Sequence, residues 1–201
     1  MTVLRLTTSD GVSLAADMEV PENPRSAAVL LHPHPLMGGD MQAPVPAHLG
    51  DILPAEGIAV LRFEFRGAGD SDGDHDGGQS EAQDVIAAVE KLHAETSLPI
   101  WLVGWSFGAD VSLQVTDEAV AGWVCITPPL QVVPPEQMAA AQDPRPKRML
   151  VAEHDQFTSP EAVAERVHGW VNTEIQTIPG TDHFLAGRLG AVALSTTAII
   201  Q

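Results

Sequence analysis

Apolar residues along this chain come in short runs separated by polar, amphipathic or turn-rich stretches. Eight of these runs have the length and composition of β-strands, at residues 3–6, 12–18, 27–31, 58–65, 98–103, 122–126, 148–152 and 173–178. The first two are joined through Asp10-Gly11, a dipeptide that favours a tight hairpin turn. The pattern therefore predicts a β-hairpin followed by six further strands.

Helical patterns separate most of the later strands. The clearest covers residues 81–94, where apolar residues recur on one face, and Ser80 and Gln83 are spaced as in a capping box. Further helices are predicted at 109–115, from Ser159 onward and at 188–199. Strands that alternate with helices indicate an α/β fold, with an open, mostly parallel sheet of about eight strands and helices on both faces.

One stretch breaks this alternation. Residues 127–147 contain six of the sixteen prolines in the chain. The stretch is too short for a lid domain, so it is expected to be an irregular loop with one brief helix at 136–142, lying over the mouth of a site. Residues 1–201 are otherwise expected to form a single domain with a minimal cap or none.

Composition narrows the possible partners. The formal net charge is −17, from 10 basic and 27 acidic residues, which disfavours nucleic acid and anionic membranes. No apolar run has the length of a membrane span and no secretory signal is evident, so a cytoplasmic protein is expected. The single cysteine, Cys125, cannot form an internal disulfide. The sequence leaves the oligomeric state open.

The segment at residues 104–108 carries the most specific chemical signal. It reads Gly-Trp-Ser-Phe-Gly and lies between a predicted strand and a predicted helix. This Gly-x-Ser-x-Gly context is that of a nucleophilic serine on a sharp turn. Glycines at 104 and 108 allow the strand and helix to approach, and the helix N-terminus favours developing negative charge near Ser106.

An acid and a histidine follow at matching places. Asp155 comes just after the strand at 148–152, and His183 just after the strand at 173–178. Serine, acid and histidine in this order predict a catalytic triad in which His183 takes the proton of Ser106 and Asp155 orients the imidazole. Glu153 and Asp182 are alternative acids. They are disfavoured because Glu153 is still near the strand end and Asp182 adjoins the histidine.

Three more segments make a family resemblance. They are Leu-His-Pro-His-Pro-Leu-Met-Gly-Gly at 31–39, Phe-Arg-Gly-Ala-Gly-Asp-Ser at 65–71 and Gly-Thr-Asp-His-Phe at 180–184. Over nearly its whole length the chain resembles a small, lidless bacterial group of the α/β-hydrolase superfamily, with dienelactone-hydrolase-like and esterase relatives. Dienelactone hydrolases proper have a cysteine where this chain has Ser106, which favours ester cleavage here. Residues 41–44 also lack the Asn-Lys pair expected after the double glycine.

Two backbone N–H groups are expected to bind the oxyanion. One is that of Phe107, the residue after the nucleophile. The other should come from the loop after the first parallel strand, where Pro33 and Pro35 have no N–H and leave His34 or Leu36. The resemblance favours His34, because this segment lies where related hydrolases carry His-Gly-x.

Neither a metal nor a cofactor is expected. His32 and His34 form a His-x-His pair without a third ligand nearby in the sequence, so His32 is expected to shape the loop through backbone hydrogen bonds. The acidic run from Asp70 to Glu81 does not fit a calcium loop in either register, since position 12 or position 6 carries the wrong residue. It is interpreted as a solvated turn.

The resulting functional hypothesis is a serine carboxylesterase that forms an acyl-enzyme on small, soluble esters. A thioesterase or small-lactone hydrolase would use the same residues. A non-catalytic binding protein that retains the fold is the alternative from another class. The short cover predicts short acyl chains, because little apolar wall is expected to bury a long one.

Overall fold

The computed structural model describes residues 1–200. Eight strands form one sheet: β1 (Thr2–Thr7), β2 (Ser13–Glu19), β3 (Ser26–Leu31), β4 (Ile58–Phe63), β5 (Ile100–Trp105), β6 (Val120–Ile126), β7 (Lys147–Ala152) and β8 (Thr173–Ile178). Their spatial order is β1-β2-β4-β3-β5-β6-β7-β8. β1 and β2 form the antiparallel hairpin, β2 pairs antiparallel with β4, and the other pairs are parallel. The predicted hairpin and mostly parallel sheet are confirmed.

Five α-helices cover the two faces of the sheet: α1 (Pro44–Ile52), α2 (Glu81–Thr96), α3 (Phe107–Ser112), α4 (Pro160–Arg166) and α5 (Leu189–Ile200). α2, α3 and α4 pack into the larger of two apolar clusters, whereas α1 and α5 pack into the other. This is the two-faced covering that a parallel sheet requires. Among residues 1–200, no helix has both the length and the apolar character needed to cross a bilayer.

Helix α1 was not predicted, and its prolines explain why. Pro44 and Pro46 suggest a loop, but they occupy the first turn of the helix, where the backbone N–H groups have no partner within the helix. Val45 and Leu49 bury the inner face of this short helix against β3 and β4. Tertiary packing rather than sequence propensity therefore stabilises α1.

The capping box predicted at Ser80 is wrong. Ser80 has helical backbone angles and its side chain caps no helix N–H. Instead the carboxylate of Asp76 accepts hydrogen bonds from the N–H groups of Gln79 and Ser80, and the Ser80 hydroxyl donates to it as well. The side chain of Gln83 is turned to Ser9. Asp76 thus holds the two residues that lead into α2, and no side chain caps the first N–H groups of the helix.

The proline-rich segment also departs from expectation. The single helix predicted at 136–142 is two short 3₁₀ turns, Pro135–Gln137 and Ala139–Gln142, because Met138 between them has a non-helical ψ of 69°. Met138 and Ala140 are buried in the core, so this half of the segment serves packing. The half that precedes it, around Pro129 to Val132, faces the candidate site.

Candidate active site

Ser106 lies on a strained turn between β5 and α3. Its φ is 54° and its ψ is −117°, a conformation that costs a non-glycine residue free energy. A Cβ on Gly104 would stand 2.5 Å from the backbone N of Ala109, and one on Gly108 would stand 2.6 Å from the carbonyl oxygen of Leu31. Only glycine fits at these two positions, and the close approach fixes the serine at the carboxyl end of the parallel strands.

The serine, histidine and acid singled out in the sequence lie in one row of hydrogen bonds. His183 Nε2 is 2.9 Å from Ser106 Oγ, and His183 Nδ1 is 2.8 Å from Asp155 Oδ2. His183 and Asp155 are both more than nine-tenths buried, and Ser106 is half-buried. The imidazole is thus placed to accept the serine proton on one nitrogen while the other donates to a carboxylate.

The environment of Asp155 favours its ionised form. Burial raises the pKa of this carboxyl, but the hydrogen bonds from His183 and from the N–H groups of Thr158 and Phe157 outweigh burial and lower the pKa below its ordinary value. A carboxylate so held can stabilise an imidazolium formed at His183.

The two alternative acids point elsewhere. Glu153 accepts a hydrogen bond from the N–H of Gly180 at 2.7 Å. Asp182 accepts one from the N–H of Phe184 at 3.0 Å within its own turn. Of the three candidate acids, Asp155 is the one that reaches His183.

Several contacts position the loop of His183. The indole Nε1 of Trp105 donates to the His183 carbonyl at 3.3 Å, and Gln156 Oε1 accepts the His183 N–H at 3.3 Å. The ring of Phe157 packs edge-on against the imidazole, with centroids 4.6 Å apart. The residue just before the nucleophile therefore also orients the histidine loop.

Two backbone N–H groups near Ser106 have no acceptor within residues 1–200. They belong to Phe107, the first residue of α3, and to His34 in the loop after β3. The N–H of Leu36, the alternative from the sequence, donates to His34 Nδ1 at 3.2 Å. This geometry favours His34 over Leu36 as a donor to a bound oxyanion.

The side chain of His32 fixes the peptide that carries the His34 N–H. Its Nε2 accepts from the N–H of Phe65 at 2.9 Å, so the proton is on Nδ1, which lies 2.7 Å from the Pro33 carbonyl oxygen. Burial lowers the pKa of His32 to about 4, and the ring stays neutral near pH 7. Because the C=O and N–H of a peptide point in opposite directions, holding the Pro33 carbonyl aims the N–H of His34. Both ring nitrogens are thus engaged with backbone, as the sequence suggested.

A cavity of about 560 Å³ opens beside Ser106. Its walls are mainly apolar and aromatic, with a few polar groups at the serine end. Most of the lining comes from the three motifs at 31–39, 104–108 and 180–184, and the rest from positions 43–44, 129–132 and 157. Its lining comprises Pro33, His34, Met37, Gly38, Gly39, Ala43, Pro44, Trp105, Ser106, Phe107, Pro129, Gln131, Val132, Phe157, His183 and Phe184. Within the described part of the chain, the lining contains no Asp, Glu, Lys or Arg. The cavity has more apolar wall than the short proline-rich cover predicts from the sequence.

Asp110 anchors the part of the proline-rich segment that faces the cavity. This fully buried carboxylate accepts the N–H groups of Leu130, Gln131 and Val132, each at 2.9 Å. Burial raises its pKa to about 6, against the lowering effect of these three bonds. In the sequence, the only sign of this contact is the position of Asp110, an acid four residues after Ser106 on the predicted helix that follows it. In the structure every residue of this helix is buried.

The sheet order, the turn at Ser106 and the position of the site at the strand ends define the class: the chain has the α/β-hydrolase fold, in its lidless form. The family model of X-Pro dipeptidyl-peptidase (S15 family) matches residues 10–173, and the chain belongs to this family. An uncharacterised protein of Rickettsia prowazekii, RP471, is 31% identical over 171 residues, which are 78% of this chain and 71% of the relative.

Two solved structures are similar over nearly their whole length. One is an α/β serine hydrolase homologue from Coxiella burnetii, 28% identical, with a TM-score of 0.88 and coverage of 100% of this chain and 97% of that one. The other is XC6422 from Xanthomonas campestris, described as an α/β serine hydrolase without a lid, 27% identical, with a TM-score of 0.87 and coverage of 98% and 92%. These likenesses agree with the suspected small, lidless group.

Proposed function

We propose that this protein hydrolyses small, uncharged carboxylic esters through a Ser106–His183–Asp155 triad. The observation that carries the proposal is the continuous row of hydrogen bonds from Asp155 through His183 to Ser106. Two residues that line the same cavity as this serine, Phe107 and His34, have backbone N–H groups without an acceptor among residues 1–200. Nucleophile, base, orienting acid and oxyanion donors are the parts that acyl transfer needs.

Each residue then has a definite role. Ser106 Oγ attacks the ester carbonyl carbon while His183 Nε2 takes its proton, and the carbonyl oxygen becomes an oxyanion bound by the Phe107 and His34 N–H groups. His183 returns the proton to the departing alcohol, which leaves an acyl group on Ser106. In the second half of the reaction, His183 takes a proton from a water molecule, which attacks the acyl carbon. His183 then returns the proton to Ser106 Oγ as the carboxylic acid leaves.

The cavity favours an uncharged substrate over a peptide with a free amino terminus. Release of a dipeptide, the activity named for the S15 family, requires recognition of an α-ammonium group, for which a carboxylate is the usual partner in a protein. None of the described lining residues is acidic, and the nearby carboxylate of Asp155 is occupied by His183 and two backbone N–H groups. Proline-specific peptidase activity is the second candidate because of the family match. Thioesters and small lactones would be open to the same chemistry.

The test is hydrolysis of p-nitrophenyl esters from acetate to palmitate by the wild type, Ser106→Ala and Ser195→Ala, with an Xaa-Pro p-nitroanilide in parallel. Ser195 lies on α5 and pairs with Gln176, so its variant controls for loss of a serine hydroxyl elsewhere. We expect ester turnover in the wild type and Ser195→Ala, and its loss in Ser106→Ala. Release of p-nitroaniline without ester turnover would replace the esterase proposal by the peptidase.

A further inference from the structure

A second histidine–carboxylate pair lies next to the site, in the turn of residues 70–80 that the sequence presents as a simple solvated connection. Glu81, the first residue of α2, is completely buried. Its carboxylate accepts the N–H groups of Asp76 at 3.1 Å and Gly78 at 2.9 Å. Its Oε1 also lies 2.6 Å from His75 Nδ1, although this nitrogen makes no hydrogen bond among residues 1–200. The triad uses neither residue, so burying a carboxylate here requires another explanation.

The ring of His75 packs against both residues that provide the candidate oxyanion donors. Its centroid is 4.8 Å from that of His34 and 5.2 Å from that of Phe107, and the latter two rings are 5.1 Å apart. The side chain of His75 is 6% exposed, so these contacts are enclosed. The three rings thus form one cluster, and two of them belong to the residues that carry the candidate donors.

The turn that carries His75 is fixed at both ends. At its start, a Cβ on Gly67 would lie 2.7 Å from the backbone N of His75, so the chain folds tightly back on itself. Arg66, which precedes Gly67, pairs with the buried Asp84, whose Oδ1 lies 2.7 Å from Arg66 Nη2. At its end, Gly78 packs so closely on Val133 that a Cβ would stand 2.9 Å away. The turn is therefore held close to the rest of the chain on both sides of His75.

We propose that His75, packed against the rings of His34 and Phe107 and in contact with Glu81, is a positioning residue of the oxyanion hole. The inference rests on the proposed function, since it assigns a role only if the N–H groups of His34 and Phe107 bind an oxyanion. Removal of one oxyanion donor typically slows catalysis about 10²–10³-fold, and stabilisation depends on donors held at hydrogen-bond distance. A side chain that keeps both donor residues in place should influence kcat, although it does not touch the substrate.

The experiment compares two double variants that differ only in the ring. In His75→Ala/Glu81→Gln the ring is removed, and in His75→Phe/Glu81→Gln a ring of similar size remains. Glutamine at 81 avoids leaving a buried charge without its partner. The probe is a fluorophosphonate. Ser106 Oγ forms a bond to its phosphorus while His183 Nε2 takes the hydroxyl proton, the P–F bond breaks to release fluoride, and the phosphonyl oxygen takes the oxyanion position. Labelling at several probe concentrations, followed by intact mass, separates kinact from KI without knowledge of the natural substrate.

Relative to Glu81→Gln alone, we expect the alanine variant to show a roughly tenfold lower kinact with unchanged KI, and the phenylalanine variant to recover most of that loss. Asp74→Asn, an exposed acid in the same turn, should label like the wild type. Melting temperatures show whether the double variants are equally folded. Equal kinact in the two double variants, whether both fast or both slow, would overturn the positioning role. A wild type that is not labelled at Ser106 would instead count against the proposed function.

Discussion

The two sides of the cleft are built differently. On the inner side, the loop of His32 and His34 is held by buried hydrogen bonds and by ring contacts to Phe107. On the outer side, the cavity is lined by exposed apolar side chains, which we call the apolar rim: Met37, Phe157 and Phe184, between 47% and 74% exposed. Tight positioning is thus concentrated where charge would develop, while the rim offers an adaptable apolar surface to the non-reacting part of a substrate.

The largest effect should come from the acid that orients the imidazole. In Asp155→Asn, Oδ1 can still accept the N–H groups of Phe157 and Thr158, but an amide in place of Oδ2 would donate to His183 Nδ1. The imidazole proton would then lie on Nε2, which could no longer accept the proton of Ser106. We expect kcat for p-nitrophenyl acetate to fall roughly 10³–10⁴-fold with little change in melting temperature.

Asp182→Asn is the matched control, because it removes the neighbouring acid without touching the imidazole. It should retain activity within about threefold. If the two variants exchanged behaviour, the assignment of the triad acid would have to move to Asp182.

The next largest effect on kcat should come from His32. It tests whether the inner side of the cleft depends on the hydrogen bond from His32 to the Pro33 carbonyl. His32→Asn can retain a donor toward the Pro33 carbonyl, whereas His32→Gln can retain an acceptor for the Phe65 N–H. Each leaves one buried backbone group unsatisfied, at a cost of about 1–3 kcal/mol of stability. We expect similar losses of melting temperature but a kcat roughly 10²-fold lower for Gln and only a few-fold lower for Asn. Equal kcat values for the two variants would show that the orientation of the His34 N–H does not depend on the hydrogen bond to the Pro33 carbonyl.

One buried group near the inner side is a liability to the fold. Glu64 is 6% exposed, its Oε2 has no hydrogen-bond partner among residues 1–200, and burial, followed by the nearby charge of Asp40, raises its pKa to about 7. Because the folded pKa lies above the ordinary value of 4.5, the protonated form stabilises the fold, and this contribution is lost as the pH rises through 7.

Glu64→Gln should therefore raise the free energy of unfolding by about 2 kcal/mol at pH 8.5, with the difference vanishing near pH 4, below the ordinary pKa of 4.5. Urea denaturation of both proteins at the two pH values measures it. Glu174→Gln, at an exposed carboxylate on β8, should show no such pH-dependent gain. A variant less stable than the wild type at pH 8.5 would mean that the ionised carboxylate is favourably paired.

The sequence allowed prediction of features that local patterns determine, and failed where distant residues decide. Alternating apolar runs identified all eight strands, and motif context identified the loops of Ser106, Asp155 and His183, which the structure brings into hydrogen-bonding distance. The contacts of Asp110 with the proline-rich segment and of His75 with the ring cluster join residues more than twenty positions apart in most cases, and no local pattern reports them. In the apolar rim, Met37 and Phe184 belong to two of the quoted motifs, whereas Phe157 belongs to none.

The smallest effect should appear at the apolar rim. Phe184 is 54% exposed and lines the cavity, so it can cover only part of a bound chain. Each buried methylene contributes about 0.8 kcal/mol, so a partly covered chain should gain about 1 kcal/mol from this ring. Phe184→Ala should then lower kcat/KM for p-nitrophenyl octanoate roughly fivefold more than for the acetate. Val3→Ala, at an exposed apolar residue of β1, is the control for a general loss of surface hydrophobicity. An equal effect of Phe184→Ala on both esters would mean that the ring supports the neighbouring His183 loop rather than the substrate chain, and that the adaptable side of the cleft lies elsewhere.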